Sequence, residues 1–333
     1  MGMNNPRPSA SGQIENRVLL LNHSGHGPFE AKPGTPLSGS LRRNAEMAPY
    51  RMFEATDTRE VEAADGTKLF LHCWRLSAGT EKKGSVLLVH GLGEHGGRYG
   101  HVAHLFNELG FEAWAHDHRG FGRSDGARAR IPETNSLIED TRMIYERLQQ
   151  ESGSLPILLG HSMGGAIAAR AVTGGWITPR ALVLSSPALK SRIGSFLRGV
   201  ASGLEKLMPN IAMPHGLPLH KISHDPEVLA DAVGDPLNHA LISPRITMFI
   251  LNAGEAAIRD AGKLTMPTLV QAAGDDRLVD PEGAKEFAAS APPSLCTLKV
   301  YPGLWHEIYN EREHDRDIVL ADLKDWLTRV VLR

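Results

Sequence analysis

Residues 155–164, LPILLGHSMG, limit the fold more than any other stretch of this chain. Pro156, Ile157, Leu158 and Leu159 read as a short buried strand. Residues 165–172, GAIAARAV, are small enough to form a helix packed closely on a sheet. Between them stands Gly160-His161-Ser162-Met163-Gly164. Glycine two residues to either side of the serine allows a sharp strand-to-helix turn that lifts the hydroxyl clear of the sheet. Ser162 is therefore a candidate nucleophile, set against the plainer reading of a glycine-rich turn with an idle serine.

The flanking chain repeats the same alternation. Residues 68–76 alternate as a half-exposed strand after the turn signal Asp65-Gly66, and residues 85–89 form a continuous apolar strand that runs into glycines. Helical spacing follows over 101–109, then a strand at 111–117, a glycine-rich turn to Gly126 and a helix from about Thr134 to Gln150. Strand and helix in alternation predict a mostly parallel central sheet flanked by helices. Ligand chemistry in such sheets collects beyond the carboxyl ends of the strands. The loops 90–97, 117–124 and 160–164 all fall there. A strand at 181–186 is followed by another only at 268–273, and the interval is too long for a simple strand-to-helix loop. The expected organisation is a tail over 1–50, a core over 51–186 and 247–333, and an inserted helical cap over 187–246. A last strand is expected at 297–301 and a closing amphipathic helix over 315–332.

Within the insertion Leu189, Ile193, Phe196, Leu197, Val200, Leu204 and Leu207 recur at helical spacing, with Lys190, Arg192, Arg198 and Lys206 largely elsewhere around the wheel. This predicts an amphipathic helix whose apolar face either packs on the core or faces lipid.

Bulk properties remove several classes of function. The 36 basic and 38 acidic residues give no global basic field to attract nucleic acid. Cys73 and Cys296 are far apart and lack C-x-x-C spacing, so neither a disulfide framework nor a zinc cage is expected. Sixteen histidines invite a metal reading, at His90 with His95 or at His116, Asp117 and His118. No H-E-x-x-H or comparable spacing supports it, and no metal is expected. The first fifty residues scatter Pro6, Pro8, Pro28, Pro33 and Pro36 among Gly, Ser and Asn and read as a flexible tail. The apolar run at 18–21 is too short for a secretory or membrane segment, which makes a cytoplasmic location the expectation. Nothing in the pattern marks an oligomeric state.

A serine hydroxyl needs a base, and the base needs a carboxylate to fix its tautomer and stabilise the imidazolium. In chain order these should follow as Asp and then His. After the strand at 268–273 come Asp275, Asp276 and Asp280; after the strand at 297–301 comes His306. The oxyanion donors should be the backbone N–H of Met163, following the nucleophile, and that of Leu92, in the glycine-rich loop after an earlier strand.

Five segments in order, HGLGEHGGRY (90–99), DHRGFGRSDG (117–126), GHSMGG (160–165), GDDRLVDP (274–281) and HEIYNE (306–311), make the chain resemble the monoacylglycerol lipase and lysophospholipase branch of the α/β-hydrolases, among the serine aminopeptidase S33-like hydrolases. The resemblance runs from about Phe53 to the C-terminus. It implies an α/β-hydrolase fold and a triad of Ser162, Asp276 and His306, choosing Asp276 over Asp275 and Asp280. It also implies a mobile cap over an acyl tunnel, and places Glu94, His95 and His161 near the alcohol end of the substrate. The implied activity is cofactor-free cleavage of a lipid ester, a monoacylglycerol or lysophospholipid, through an acyl-enzyme, with transient membrane contact through the cap. A short-chain carboxylesterase or an acyltransferase would use the same groups, and a silent hydrolase fold would serve as a binding module. Arg119 and Arg123 read as loop ties rather than phosphate contacts, and Trp305 and Tyr309 as packing around a loop.

Overall fold

The structure, a computed structural model, describes residues 48–332. Eight strands form one sheet in the order β1-β2-β4-β3-β5-β6-β9-β10. These are β1 (Asp57–Glu62), β2 (Lys68–Trp74), β3 (Gly84–Val89), β4 (Phe111–His116), β5 (Ile157–His161), β6 (Leu182–Ser185), β9 (Thr268–Ala273) and β10 (Cys296–Tyr301). Two short strands, β7 (Met213–Pro214) and β8 (Leu241–Ile242), pair separately in the cap. From β4 to β10 every neighbouring pair is parallel, and β2 runs antiparallel to both β1 and β4. The uninterrupted burial of β3, β5, β6 and β9 follows from helices on both faces.

One face is covered by α2 (Ser136–Ser152), α3 (Met163–Thr173), α6 (Pro244–Asp260) and α7 (Glu282–Ser290), which contribute Ile138, Tyr145, Ile167, Phe249 and Phe287 to one apolar layer. The other is covered by α1 (Gly100–Glu108) and α8 (Glu313–Trp326), through Val102, Phe106, Val319, Leu323 and Trp326. β2 is more buried than its alternation suggested, because β1 and β4 flank it and Trp74 packs under α1. The closing helix ends its regular part at Trp326 and finishes as a π turn, Leu327–Val331.

The cap is smaller than expected at both ends. Ala188 and Leu189 are buried, with Leu189 in the main core, so the chain leaves the core only after them. α6 begins at Pro244, capped by the Ser243 hydroxyl, and is a core helix packed on α3. Between lie α4 (Ser195–Leu207) and α5 (Pro226–Gly234). α4 contains no buried residue. Its polar side meets the core: Arg198 pairs with Glu255 of α6 and donates to Asn252 at 3.2 Å. The apolar side faces outward, with Phe196 80% and Leu207 82% exposed. Of the two readings of this helix, packing on the core by its apolar face is excluded.

Most of the expected tail, 1–47, lies outside the described residues. Residues 48–50 do not belong to a tail. Ala48 and Tyr50 are buried against Val228 of α5. The Tyr50 hydroxyl donates to Asp231, and Arg51 bridges Asp231 at 2.9 Å and Asp235 at 2.8 Å. The segment thus straps α5 to the body, a contact no local pattern could reveal. Removing a buried large aromatic side chain costs about 3–5 kcal/mol, whereas a half-exposed ion pair contributes under about 1 kcal/mol. Tyr50→Ala should therefore lower the denaturation midpoint clearly, and Arg51→Ala only slightly. Both should speed amide exchange in α5 relative to α2; unchanged α5 protection in the two variants would refute the strap.

Candidate active site

Gly160 is the last residue but one of β5 and Gly164 the second of α3, and neither has room for a Cβ: one would strike the Gly164 carbonyl, the other the carbonyls of Val89 and His90. That close approach seats the turn directly on β3. Ser162, between them, takes φ 53° and ψ −118°, a left-handed backbone that a non-glycine residue adopts only under constraint. Its N–H donates to the Ser185 carbonyl, and its own carbonyl accepts from the N–H groups of Ala166 and Ala188.

The strand-end loops bring the expected groups together. Ser162 Oγ lies 2.8 Å from His306 Nε2, and His306 Nδ1 lies 2.7 Å from Asp276 Oδ2. The other Asp276 oxygen accepts the N–H groups of Leu278 at 2.8 Å and Val279 at 3.0 Å, which orients the carboxylate. Asp275 points away and pairs with Arg277 at 2.7 Å, and Asp280 accepts from the Glu282 N–H, so neither rival reaches the imidazole. Burial disfavours the imidazolium of His306, but the Asp276 charge and hydrogen bond outweigh it and leave the His306 pKa raised above 6.5. The same pairing, against burial, holds the Asp276 carboxyl below its ordinary range.

Leu92 and Met163 both line the cavity at Ser162. Met163 is the first residue of α3, so its N–H has no intrahelical acceptor. The loop carrying Leu92 is fixed from below by two neutral histidines. His90 Nδ1 donates to Gly91 O at 2.8 Å, His90 Nε2 accepts the His118 N–H at 2.9 Å, and His118 Nε2 donates to His90 O at 3.2 Å. Burial keeps both rings below their usual pKa. His116 and His118, considered as metal ligands in the sequence, are packed in this layer with ring centroids 4.8 Å apart.

Of the residues expected near the alcohol, Glu94 and His161 line the cavity and His95 does not. His95 is turned aside because its ring is engaged elsewhere: Nε2 lies 3.1 Å from Asp235, and Nδ1 accepts the Gly97 N–H. His161 stands beside His306 with ring centroids 4.9 Å apart, its pKa lowered to about 4 by burial and by the His306 charge. Glu94 accepts from the Gly91 N–H, the Tyr99 hydroxyl and Arg98. His72, His95 and Asp117 bring ligand-type atoms within 4.8 Å of one another. Asp117 already accepts from His72 and the Gly96 N–H on one oxygen and from the Arg123 N–H on the other, which makes the group a loop tie. Arg119 is another tie, bonded to Asp140 and Asp65. Trp305 stacks on His224, and the Tyr309 hydroxyl donates to Gln271.

Sequence reasoning missed three groups. Glu307, next to His306, forms a buried two-point ion pair with Arg98 at 2.8 and 2.9 Å and lines the cavity. His239 of the cap donates its N–H to Gly93 O in the Leu92 loop. Asp235 ties His95 to the strap. The carboxylate beside His306 was visible in HEIYNE, but its partner lies over two hundred residues away.

Two cavities meet at Ser162 and Leu92. One of about 150 Å³ is walled by Met163, Leu189, Ile193, Ile250 and Leu251 among others. The other, about 300 Å³, runs toward Glu94, Arg98, His161, His239 and Glu307. The model of the serine aminopeptidase S33 family matches residues 80–313. The chain belongs to that family. The monoacylglycerol lipase of Mycolicibacterium smegmatis is 37% identical over 268 residues, 79% of this chain and 93% of that protein. The monoglyceride lipase of Rattus norvegicus is 31% identical over 301 residues, 88% of this chain and 96% of that protein. The crystal structure of a Paleococcus ferrophilus monoacylglycerol lipase aligns with a TM-score of 0.71 at 31% identity, covering 78% of this chain and 98% of that one. The fold is the α/β-hydrolase fold.

Titration of the His306 imidazole by NMR checks the electrostatics of the site. The raised pKa means that the neutral ring is lost as pH falls through a value above 6.5. Asp276→Asn removes the anion and should move that value down, while Asp275→Asn should leave it in place. A His306 pKa indifferent to Asp276→Asn would contradict the assigned pairing.

Proposed function

We propose that this hydrolase cleaves lipid carboxylic esters, a monoacylglycerol or a lysophospholipid, through an acyl-enzyme. The observation that carries the reading is the position of the Ser162–His306–Asp276 chain where two largely apolar cavities meet, the larger of which also exposes Glu94, Arg98, His161, His239 and Glu307 beside Leu217, Ile222 and Val233. In this reading the acyl chain lies in the cavity walled by Leu189, Ile193, Ile250 and Leu251, and the alcohol lies in the one that reaches Glu94, Arg98 and Glu307. His306 Nε2 takes the Ser162 proton as Oγ attacks the acyl carbon, and Asp276 holds Nδ1–H and stabilises the imidazolium. The N–H groups of Leu92 and Met163 receive the negative charge on the former carbonyl oxygen; one such donor is worth roughly 10²–10³ in rate. Collapse of the tetrahedral species expels the alkoxide, which takes the proton from His306. A water activated by the same ring then attacks the acyl-serine, adding its hydroxyl to the acyl carbon and returning a proton to Ser162. These steps need no cofactor. The monoacylglycerol lipase relatives support the substrate class.

Membrane contact belongs to the same reading. Phe196, Leu197, Val200 and Leu207 present an exposed apolar face on α4, which packs on α6, the helix that gives Ile250 and Leu251 to a cavity wall; such a face is suited to the surface of an aggregated lipid. Among the described residues no helix is long and apolar enough to cross a membrane.

A fluorophosphonate probe should label the protein and fail to label Ser162→Ala. Asp276→Asn should reduce kcat on the order of 10⁴, as loss of the orienting carboxylate does in serine proteases, with Asp275→Asn near the parent. Given a series of p-nitrophenyl esters alongside monoolein and lysophosphatidylcholine, the enzyme should turn over one of the lipids; cleavage of only the shortest esters would replace this reading with that of a short-chain esterase. Phe196→Asp with Leu207→Asp should weaken sedimentation with phospholipid vesicles while leaving turnover of a soluble ester intact.

A further inference from the structure

Behind the polar wall of the active site lies a second, much smaller void. It is lined by Arg98, Tyr99, His101, His161, Glu307, Tyr309 and Asn310, all buried, and measures about 10 Å³. Arg98, His161 and Glu307 also line the larger cavity at Ser162, so the two spaces share a wall.

Three of the residues around this void carry a buried polar atom with no protein partner: Arg98 Nε, His101 Nδ1 and Asn310 Oδ1. Their hydrogen roles are set by the bonds they do make. Arg98 directs its terminal nitrogens to Glu94 and Glu307, leaving Nε–H as a donor. Asn310 Nδ2 donates to Glu307 Oε2 at 2.8 Å, which fixes Oδ1 as the free acceptor. His101 Nε2 donates to the Tyr309 carbonyl at 2.8 Å, so Nδ1 carries a lone pair. Burial lowers the pKa of His101 to about 4 and keeps the ring neutral near pH 7. The hydroxyls of Tyr99 and Tyr309 donate to Glu94 and Gln271, so neither offers its proton to His101 Nδ1 or Asn310 Oδ1.

One donor and two acceptors are the complement of a single water, which accepts one bond and donates two. A void holds a water when it offers roughly 10–15 Å³ to the molecule's centre and two to four polar neighbours. Buried polar atoms are rarely left unpaired. We infer that Arg98 Nε, His101 Nδ1 and Asn310 Oδ1 form a binding site for one internal water that braces the Arg98–Glu307 wall of the alcohol cavity. With Nε–H held, the guanidinium plane cannot swing away from the two carboxylates that it joins. His101 and Asn310 are then positioning residues, acting on the substrate cavity through Arg98 and Glu307. The bracing role rests on the reading of that cavity as the alcohol side; the water site itself does not.

An atomic-resolution crystal structure of the ligand-free protein tests the site without any variant. A density peak of full occupancy within hydrogen-bond distance of all three atoms is expected. An empty void, or a rotated side chain that satisfies these atoms directly, would overturn the proposal. Imidazole ¹⁵N spectra of the same protein should show His101 as the neutral tautomer protonated on Nε2, and a proton on Nδ1 would equally overturn it. In His101→Phe the peak should vanish, and KM for a monoacylglycerol should rise severalfold with kcat retained. Loss of the peak with KM unchanged would remove the bracing role and leave the water site standing. Absence of monoacylglycerol turnover in the parent would count against the substrate reading alone, because the density is read independently of activity.

Discussion

Ser162 occupies a backbone conformation that costs on the order of 1–3 kcal/mol and persists only where the surroundings impose it. Here they do so from two directions. The turn is pressed onto the end of β3 at Gly164 and folded onto itself at Gly160, where side chains would collide with backbone carbonyls. The backbone of Ser162 is then pinned through both its N–H and its carbonyl, to Ser185, Ala166 and Ala188 on neighbouring segments. The hydroxyl is thereby held where an imidazole on the loop after β10 can reach it, and the separation of 2.8 Å is a property of the sheet as much as of the two side chains. The strain is local, but the structure that sustains it is the whole parallel sheet.

That dependence explains which parts were legible from residues alone. Strand-end loops in a parallel sheet meet at one edge by topology, so a motif such as GHSMGG or GDDRLVDP announces both its chemistry and its place. Choosing among Asp275, Asp276 and Asp280 was beyond spacing, because the choice is made by which side chain a turn aims inward; the structure aims Asp276 at His306 and Asp275 at Arg277. His95 shows the opposite failure. It sits in the same loop as Glu94, yet Asp235 from the cap and the Gly97 N–H engage both its ring nitrogens. Residues 48–50 of the strap were read as tail because the chain before them is rich in proline and polar residues, while the strap's partners Val228, Asp231 and Asp235 lie in the insertion. Long-range pairs of this kind leave no periodic trace.

The cap inverts the usual logic of a surface helix. α4 turns Arg198 toward α6 and leaves Phe196, Leu197 and Leu207 to solvent. A helix gains most by burying its apolar face, so this orientation relies on other contacts, the packing of α4 on α6 and the anchoring of the chain that follows it. α5 is secured from outside by the strap, and Ile222 and His239 are secured from inside, through the Glu307 N–H and the Gly93 carbonyl. α4 is held to the body through its polar side, by its packing on α6 and the Arg198–Glu255 pair, and its apolar face is left outward.

Charge on the polar side of the site is arranged for rigidity more than for field. Glu94 and Glu307 would together place two negative charges within the same wall as His306, but Arg98 lies between them and cancels one. The residual negative charge favours the protonated form of His306, adding to Asp276 in the same direction. Burying so many ionic groups is costly unless every donor and acceptor is met. Tyr99, Asn310 and the Gly91 N–H meet most of them, and Arg98 Nε, His101 Nδ1 and Asn310 Oδ1, on residues that line the small void, have no protein partner. The Arg98 wall of the larger cavity is therefore an ionic network closed by the protein's own atoms everywhere but at Arg98 Nε and Asn310 Oδ1.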